Sequence, residues 1–521
     1  MSSASDAPVP ELKSPMFVSE MGQTLGVIDI GSNSGRVLVA RVRGAAHLDV
    51  LGDARSPLRL VRDVARAGSL SSETIERTLG IVRGFVAVAA SSGAERTLAV
   101  ATAAVREANN GEELIQRTRQ ELGIPVDIAD GEEEARYGFM GAVHAIPVQD
   151  GIVLDVGGGS MQIIHFRGRR LERSWSLPLG ALRLSDRFLK SDPPTRGEMR
   201  ALKEHVSSTL GRAGIRPLQP GERMIGTGGS IRNLGKIDRR VRSEYPISRL
   251  HGYVLDRRRV DGIVSLLAGS SASSRVEIPG LNADRSDSIV GGALVIQGVM
   301  DRLLAPELTV SGYGMREGIA LGSVTDEAAS VDAVQAVATT ALGSHFTVYD
   351  SMRAAQRAAL IRRLMARLLP DISDEVMLAA TVAARLLDIG ASIDHYRRHA
   401  HSARIVCDAN LDGFTHHTLA LIAAATYAVG EHEATVKPYL PLLGPSDQPI
   451  VEQIAAGVAL ADALVLYGSV DPETIAFERS NSHVVLATPV LDAWPLEAPT
   501  RRAERAFGAS ITRLGESGGV G

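Results

Sequence analysis

The chain has 521 residues, of which 45% are hydrophobic and 22% charged. That length is too great for a single core and implies two to four domains, and that balance is the ordinary one for a soluble globular protein. A formal net charge of -4 excludes the global basic field that attracts nucleic acid, and a single cysteine, Cys407, excludes an internal disulfide framework, fits a reducing cytoplasm and reads as a small buried hydrophobe.

Residues 1–23 are small, polar and proline-containing and read as a disordered tail. They lack the basic start and apolar run of a secretory signal. No stretch reaches the roughly 18 uninterrupted apolar residues that suggest a membrane span. The expectation is a cytoplasmic protein with neither a membrane nor a nucleic-acid partner. Its basic residues comprise 51 arginines and 5 lysines. Arginine's planar fork suits phosphate oxygens, although an arginine-biased genome and solvated faces give the same composition.

From Gly26 the pattern is strand, loop, strand: "GVIDIGSNSGRVLVARV". "SSETIERTLGIVRGFVAVAASSG" has helical spacing and a cap-like start. "RTLAVATAAVREANNGEELIQRTRQEL" reads strand, loop, helix, and "IPVDIADGEEEARYGFMGAVHAI" reads strand, turn, helix. Then comes "IVLDVGGGSMQIIHF", followed by a strand, glycine loop and helix in "ERMIGTGGSIRNLGKI". A loop feeding a long helix ("IPGLNADRSDSIVGGALVIQGVMDRLL") and a strand with a glycine turn ("ELTVSGYGMREGIAL") follow. Alternating strands and helices predict α/β layers. After about Val324 the patterns are all helical, until a short strand-like segment, "SHVVLATPVLDA".

Two of these blocks repeat each other. Aligned on their acids, Asp29 matches Asp155, Gly31 matches Gly157, Ser34 matches Ser160 and Arg36 matches Gln162. Each block predicts a β-hairpin with a small-residue tip, whose uncovered backbone N–H groups and hydroxyls let a phosphate come close. An aspartate cannot bind phosphate directly; it makes sense if a divalent cation, or a water held by one, lies between. Two such hairpins facing each other would clamp a phosphate chain from both sides.

These blocks resemble the superfamily of sugar kinases, actin and heat-shock chaperones, and within it the Ppx/GppA phosphatases, the exopolyphosphatases and guanosine pentaphosphate phosphohydrolases. "DIGSNSGRVLVARV", "VATAAVREANN", "DGEEEARYGFMGAV", "DVGGGSMQIIHF", "GTGGSIRNLGKI" and "SGYGMREGIAL" carry the resemblance over roughly residues 24 to 325. It implies an α/β fold of two actin-like (ribonuclease H-like) domains, 24–147 and 148–327, with a cleft between them. An all-helical domain resembling His-Asp metal phosphohydrolases follows, 328–498 with its short C-terminal strand region, and then a tail, 499–521. It implies processive hydrolysis of the terminal phosphate of inorganic polyphosphate, with Mg²⁺ or another divalent cation, and a homodimer.

Water attack on a terminal phosphorus needs an oriented water, charge neutralisation and a fixed substrate. "GEEEAR" offers three glutamates, any of which the helix dipole also favours; the resemblance selects Glu134, directly before Ala-Arg, to deprotonate the water. Asp29 and Asp155 would hold the metal or its waters. Gly31, Ser32, Asn33 and Ser34 would bind one side of the phosphate chain, and Gly157, Gly158, Gly159 and Ser160 the other. Arg36 either neutralises phosphate or faces solvent, and Arg106 either guards the phosphate entry or makes a helix-cap ion pair. Gly228, Gly229 and Ser230 form either a third phosphate loop or a tight strand–helix turn. The family usually has glutamate where this chain has Gln162, whose amide can bond water or phosphate but cannot supply charge.

In the helical region the paired ligand His-Asp reads Leu387-Asp388, so His395, His399, His401, His416 and His417 are not expected to form a working metal site. Arg397, Arg398 and Arg404 are candidates to line a track for the polyanion. The same motifs serve hydrolysis of the nucleotide pppGpp, with ppGpp as a possible ligand. A non-catalytic phosphate sensor and a kinase are the remaining alternatives.

Overall fold

A computed structural model describes residues 22–242, 244–430, 434–467, 476–480, 483–487 and 496–513. The chain divides into two compact units. The first runs to Gly141 and takes in Met315–Ala328; the second comprises Ala142–Gly314 and the chain from Ala329 onward.

The first unit is built on a five-stranded sheet in the order β3-β2-β1-β4-β5. Its strands are β1 (Gln23–Ile30), β2 (Ser34–Arg43), β3 (His47–Pro57), β4 (Arg96–Ala101) and β5 (Val126–Ile128). β2 is antiparallel to β1 and β3, whereas β4 runs parallel to β1 and β5 parallel to β4. β1 buries Leu25, Val27, Ile28 and Ile30, side chains from both faces, as expected of a central strand covered on both sides, and its apolar run breaks at the half-buried Asp29. The helix Ser72–Ser91 starts where the Ser71 side chain accepts from the Thr74 N–H at 3.3 Å, and it buries Ile75, Leu79, Val82 and Phe85. Each of these large side chains contributes roughly 1.5–3 kcal/mol on leaving water.

The second unit opens with a six-stranded sheet, β10-β11-β9-β6-β7-β8. Its strands are β6 (Gly151–Val156), β7 (Met161–Arg167), β8 (Arg170–Leu177), β9 (Arg223–Thr227), β10 (Val254–Asp256) and β11 (Glu307–Val310). The run β8-β7-β6-β9 repeats β3-β2-β1-β4 in order and direction. Register repeats as well: Asp29 lies opposite Arg36, and Asp155 opposite Gln162. The duplicated blocks are therefore duplicated hairpins at the same place in two actin-like sheets.

Helices follow at Val331–Ser344, Ser351–Leu368, Asp374–Leu386, Arg398–Asp408, His416–Ala428 and Gln448–Tyr467. They enclose a second apolar core, into which Ile247 from the α/β part also packs. The helix Gln448–Tyr467 lies in a stretch long and apolar enough to cross a membrane, but it buries Val451, Ile454, Val458 and Leu464 in this core. Cys407 is buried, which pushes its thiol up to about 12.

Three boundaries differ from the sequence reading. The helix Gly131–His144 carries the chain from one unit to the other, so the division falls at Gly141 rather than at 147. Met315–Ala328 belongs to the first unit: the helix Met315–Gly322 packs on β1 and β2, and Arg316 Nη1 donates to the Val37 carbonyl at 3.1 Å. Residues 499–513 are no tail, because Glu497–Phe507 is a helix that buries Ala503, and Ser510–Arg513 pairs as β14 with β13 (His483–Ala487) beside β12 (Ala476–Ser480). Arg502 anchors that helix through Glu452 at 2.8 Å. The expected N-terminal tail up to residue 21, and the chain beyond 513, lie outside the described residues.

Candidate active site

Both hairpin tips are tight because of one glycine each. A Cβ on Gly31 would lie 2.8 Å from the Ser34 carbonyl oxygen, and one on Gly157 would lie 3.0 Å from that of Ser160. Any other residue at these positions would push the tip open. Carbonyls of both tips are spoken for by the helix that follows the third strand. In the first, the N–H groups of Leu58 and Arg59 donate to Asn33 O (2.9 Å each) and that of Val61 to Ser32 O (3.1 Å). In the second, Leu182 and Arg183 donate to Gly158 O (3.1 Å each), Ala181 donates to Gly157 O (2.9 Å), and Arg183 Nε reaches Gly159 O at 2.8 Å.

In the first unit the tip connects to the carboxylate singled out above. Ser32 is buried, and its Oγ accepts from the Ala104 N–H at 3.2 Å. Ala104 is the second residue of the short helix Ala103–Glu107, whose Arg106 donates from Nη1 to Glu134 Oε1 at 2.7 Å and also to the Ala129 carbonyl. Glu134 is 7% exposed, in the first turn of Gly131–His144. Its neighbours are placed differently: Glu132 and Glu133 are exposed, and Glu133 Oε2 accepts from the Asp130 N–H (3.0 Å) while Asp130 Oδ1 accepts from Glu133 N (2.9 Å). That reciprocal pair is a helix cap. Of three consecutive glutamates, one caps, one faces water and one turns inward onto an arginine. Arg36 sits half-buried on β2, across from Asp29.

In the second unit Asp155, the second tip and the "GTGGS" loop come together. Asp155 lies beside Thr227 in the β6–β9 ladder. Gly228 has φ +92°, and a Cβ there would lie 2.8 Å from Asp155 Oδ1, so the loop presses on that carboxylate. Gln162 is buried, and its Nε2 donates to Ser160 Oγ at 3.1 Å. Ser230 is buried in the first turn of the helix Gly229–Val241. One residue escaped the sequence reading: the buried Arg285 guanidinium covers Gly229, where a Cβ would lie 2.1 Å from its Nη2. The signal was a lone arginine in "NADRSD" entering an apolar helix, which spacing alone does not connect to a glycine loop 56 residues earlier.

Asp29 and Asp155 are both half-buried near the ends of central strands. Among the described residues no three or more His, Cys, Asp or Glu side chains converge as a metal cage. One carboxylate, with water and phosphate oxygens completing the shell, is the donor set that suits Mg²⁺. Each aspartate, beside a glycine-lined tip, fits an ion that arrives with phosphate. When bound, such an ion neutralises phosphate charge.

The helical domain's candidates are redistributed. Arg398 does not line an open track: with Arg357 it closes a ring on Asp388 and Asp462. Arg357 Nη1 lies 2.9 Å from Asp388 and 2.6 Å from Asp462, and Arg398 bonds both acids. Arg404 pairs with Asp408 at 2.7 Å, and Arg397 is exposed. His416 is buried against Tyr245 and the His251 carbonyl, His417 pairs with Glu375 at 3.0 Å, and His395 is exposed beside Tyr396.

Two duplicated actin-like sheets with glycine-tipped acidic hairpins, joined to a helical domain, define the class. The profile of the Ppx/GppA phosphatase family matches residues 38–327, and that of Ppx/GppA phosphatase, domain III, matches residues 334–454. This chain belongs to the Ppx/GppA phosphatase family. It is 29% identical to exopolyphosphatase 1 of Mycobacterium leprae over 315 residues, 60% of this chain and 92% of that one. Among solved structures, an exopolyphosphatase from Cytophaga hutchinsonii aligns with a TM-score of 0.53 at 26% identity, covering 58% of this chain and all (100%) of its own. The Aquifex aeolicus family member aligns with a TM-score of 0.51 at 28% identity, covering 58% of this chain and 97% of its own.

Proposed function

We propose that this phosphatase is an exopolyphosphatase: it removes the terminal phosphate of inorganic polyphosphate by attack of a water that Glu134 orients and deprotonates. The observation that carries this reading is the Arg106–Glu134 pair, 2.7 Å apart, with Arg106 on a short helix whose Ala104 N–H is bonded to Ser32 of the first tip. A buried carboxylate held by an arginine, and tied through it to a glycine-tipped turn, is the arrangement a positioned base requires. The names of the relatives supply the substrate class, and the glycine-tipped hairpins supply its chemical rationale.

In this reading the chain's own groups divide the work. Gly31–Ser34 and Gly158–Ser160 bind phosphate oxygens through N–H groups and hydroxyls, Gly157 closes the second tip by donating its own N–H to Ser160 O at 3.0 Å, and Gly228–Ser230 with Arg285 adds a further anchor. Asp29 and Asp155 hold Mg²⁺ or its waters. The buried Gln162 amide holds Ser160 and brings no charge of its own.

Phosphate release measured side by side on long-chain polyphosphate and on pppGpp, with Mg²⁺ present, tests the proposal. Higher kcat/KM on polyphosphate supports it. Release from the nucleotide alone would assign the chain to pppGpp hydrolysis, and binding without release from either would make it a phosphate sensor.

A further inference from the structure

A second set of contacts runs from Asp155 into the helical domain, all within the second unit. Thr227, beside Asp155 on β9, is buried, and its hydroxyl donates to the Tyr313 carbonyl at 2.6 Å. Ser311 Oγ donates to the same carbonyl at 2.9 Å, and the Ser311 N–H donates to Gly226 O at 2.7 Å. The turn Ser311–Gly314 is thereby laid along the end of β9, immediately before the Gly228 that presses on Asp155. Its outer side is held from elsewhere. Tyr313 Oη donates to Asp412 Oδ2 at 2.9 Å, and Asp412 lies between the helices Arg398–Asp408 and His416–Ala428. Asp412 is itself buried beside Arg249, 3.4 Å away. The Gly312 N–H donates to His251 Nδ1 at 3.1 Å, and the His251 ring lies 5.0 Å from that of Tyr313. His251 Nε2 meets the Ala145 carbonyl at 3.1 Å, which makes Nε2 the donor and Nδ1 the acceptor, and His416 Nε2 in turn donates to the His251 carbonyl at 2.8 Å.

We propose that Tyr313 is a positioning residue for the Asp155 side of the site, and that Asp412 of the helical domain sets its position. The hydroxyl at one end of Tyr313 reads the helical domain, and its carbonyl at the other end fixes Thr227, hence Gly228 and the carboxylate behind it. A ligand held a fraction of an ångström off line loses rate more than affinity, because orientation is spent in the transition state. The helical domain, beyond any contact with substrate, thus takes part in turnover through a hydrogen bond that does not itself touch substrate. This inference rests on the exopolyphosphatase reading given above.

The test uses the full chain and the variants Tyr313→Phe, Thr227→Val, their double, and Thr227→Ser. Tyr313→Phe keeps the ring and the carbonyl and removes only Oη. Its kcat on polyphosphate, measured well below the variant's melting temperature, is expected to fall about tenfold with KM within about twofold. Thr227→Val is expected to fall similarly and Thr227→Ser to retain activity. The double variant should be no slower than Thr227→Val alone, because the two act in series. Unchanged kcat in Tyr313→Phe, or losses that multiply in the double, overturns the inference and leaves the exopolyphosphatase reading intact. A wild-type chain that releases no phosphate from polyphosphate overturns both.

Discussion

Arg106 Nη1 lies 2.7 Å from Glu134 Oε1, and the same nitrogen donates to the Ala129 carbonyl, so this guanidinium ties the buried carboxylate to the chain just before its helix. Arg106→Ala removes that hold while leaving Glu134 in place. We expect kcat to fall by up to about 100-fold, with polyphosphate affinity reduced much less, since a misaligned base costs rate. Steady-state kinetics separate the two: a rise in KM at constant kcat would instead make Arg106 a binding residue.

Gln162 stands across from Asp155 and donates to Ser160 Oγ at 3.1 Å. Gln162→Glu adds a negative charge at that register position. The Mg²⁺ concentration needed for half-maximal phosphate release is expected to drop by about tenfold, the scale on which groups around a metal change its affinity. A Mg²⁺ titration of both proteins checks this; an identical midpoint would place the ion elsewhere than beside Asp155.

His251 and His416 are buried neutral. Burial, reinforced by the charge of Arg249, depresses both to about 3. The unfolded chain takes up protons near the ordinary value of 6.5 that the folded chain refuses, so stability is full above that pH and is lost as pH falls from about 6.5 toward 3. The slope is up to about 1.4 kcal/mol per pH unit for each histidine. His416→Gln keeps an acceptor for Tyr245 and a donor for the His251 carbonyl. It should lose stability less steeply than wild type in urea melts from about pH 7 to about pH 5, the range in which an ordinary histidine titrates. His417 acts in the opposite direction, because Glu375 raises it, but it is common to both proteins and cancels in the comparison.

Arg357 is fully buried, with Asp388 and Asp462 both on its Nη1. Arg357→Met leaves two buried carboxylates sharing fewer cations. We expect a loss of about 3–5 kcal/mol, read as a lower urea midpoint for the helical domain, because an uncompensated buried charge is costly. An unchanged midpoint would mean that Arg398, with Arg353 at 3.4 Å from Asp462 and 3.9 Å from Asp388, satisfies both acids.

The features legible in the sequence were the local ones. Asp29 with Gly31 and Ser34, repeated as Asp155 with Gly157 and Ser160, is a short-range pattern, and hairpin geometry follows from it directly. The glutamates of "GEEEAR" were not separable by local rules, since helix-dipole arguments serve all three; the Asp130–Glu133 cap and the partner Arg106, 28 residues away, distinguish them. Contacts across long separations were invisible. Tyr313 to Thr227, Tyr313 to Asp412 and Arg285 over Gly229 each join segments whose own patterns say nothing of one another. Arg398 differs from the polyanion-track reading for a related reason: an arginine cluster does not show which member helix packing turns inward onto acids as distant in sequence as Asp462. The return of Met315–Gly322 to the first sheet is likewise a matter of topology rather than of composition.

The most direct test of the central claim is Glu134→Gln, which keeps the shape and the partner of the side chain and removes its basicity. Phosphate release from long-chain polyphosphate should fall by about 10²–10⁴-fold while polyphosphate binding, measured by calorimetry or filter retention, is kept. Release at the wild-type rate would contradict the account, and so would loss of binding together with loss of release, which would make Glu134 part of the grip rather than the base.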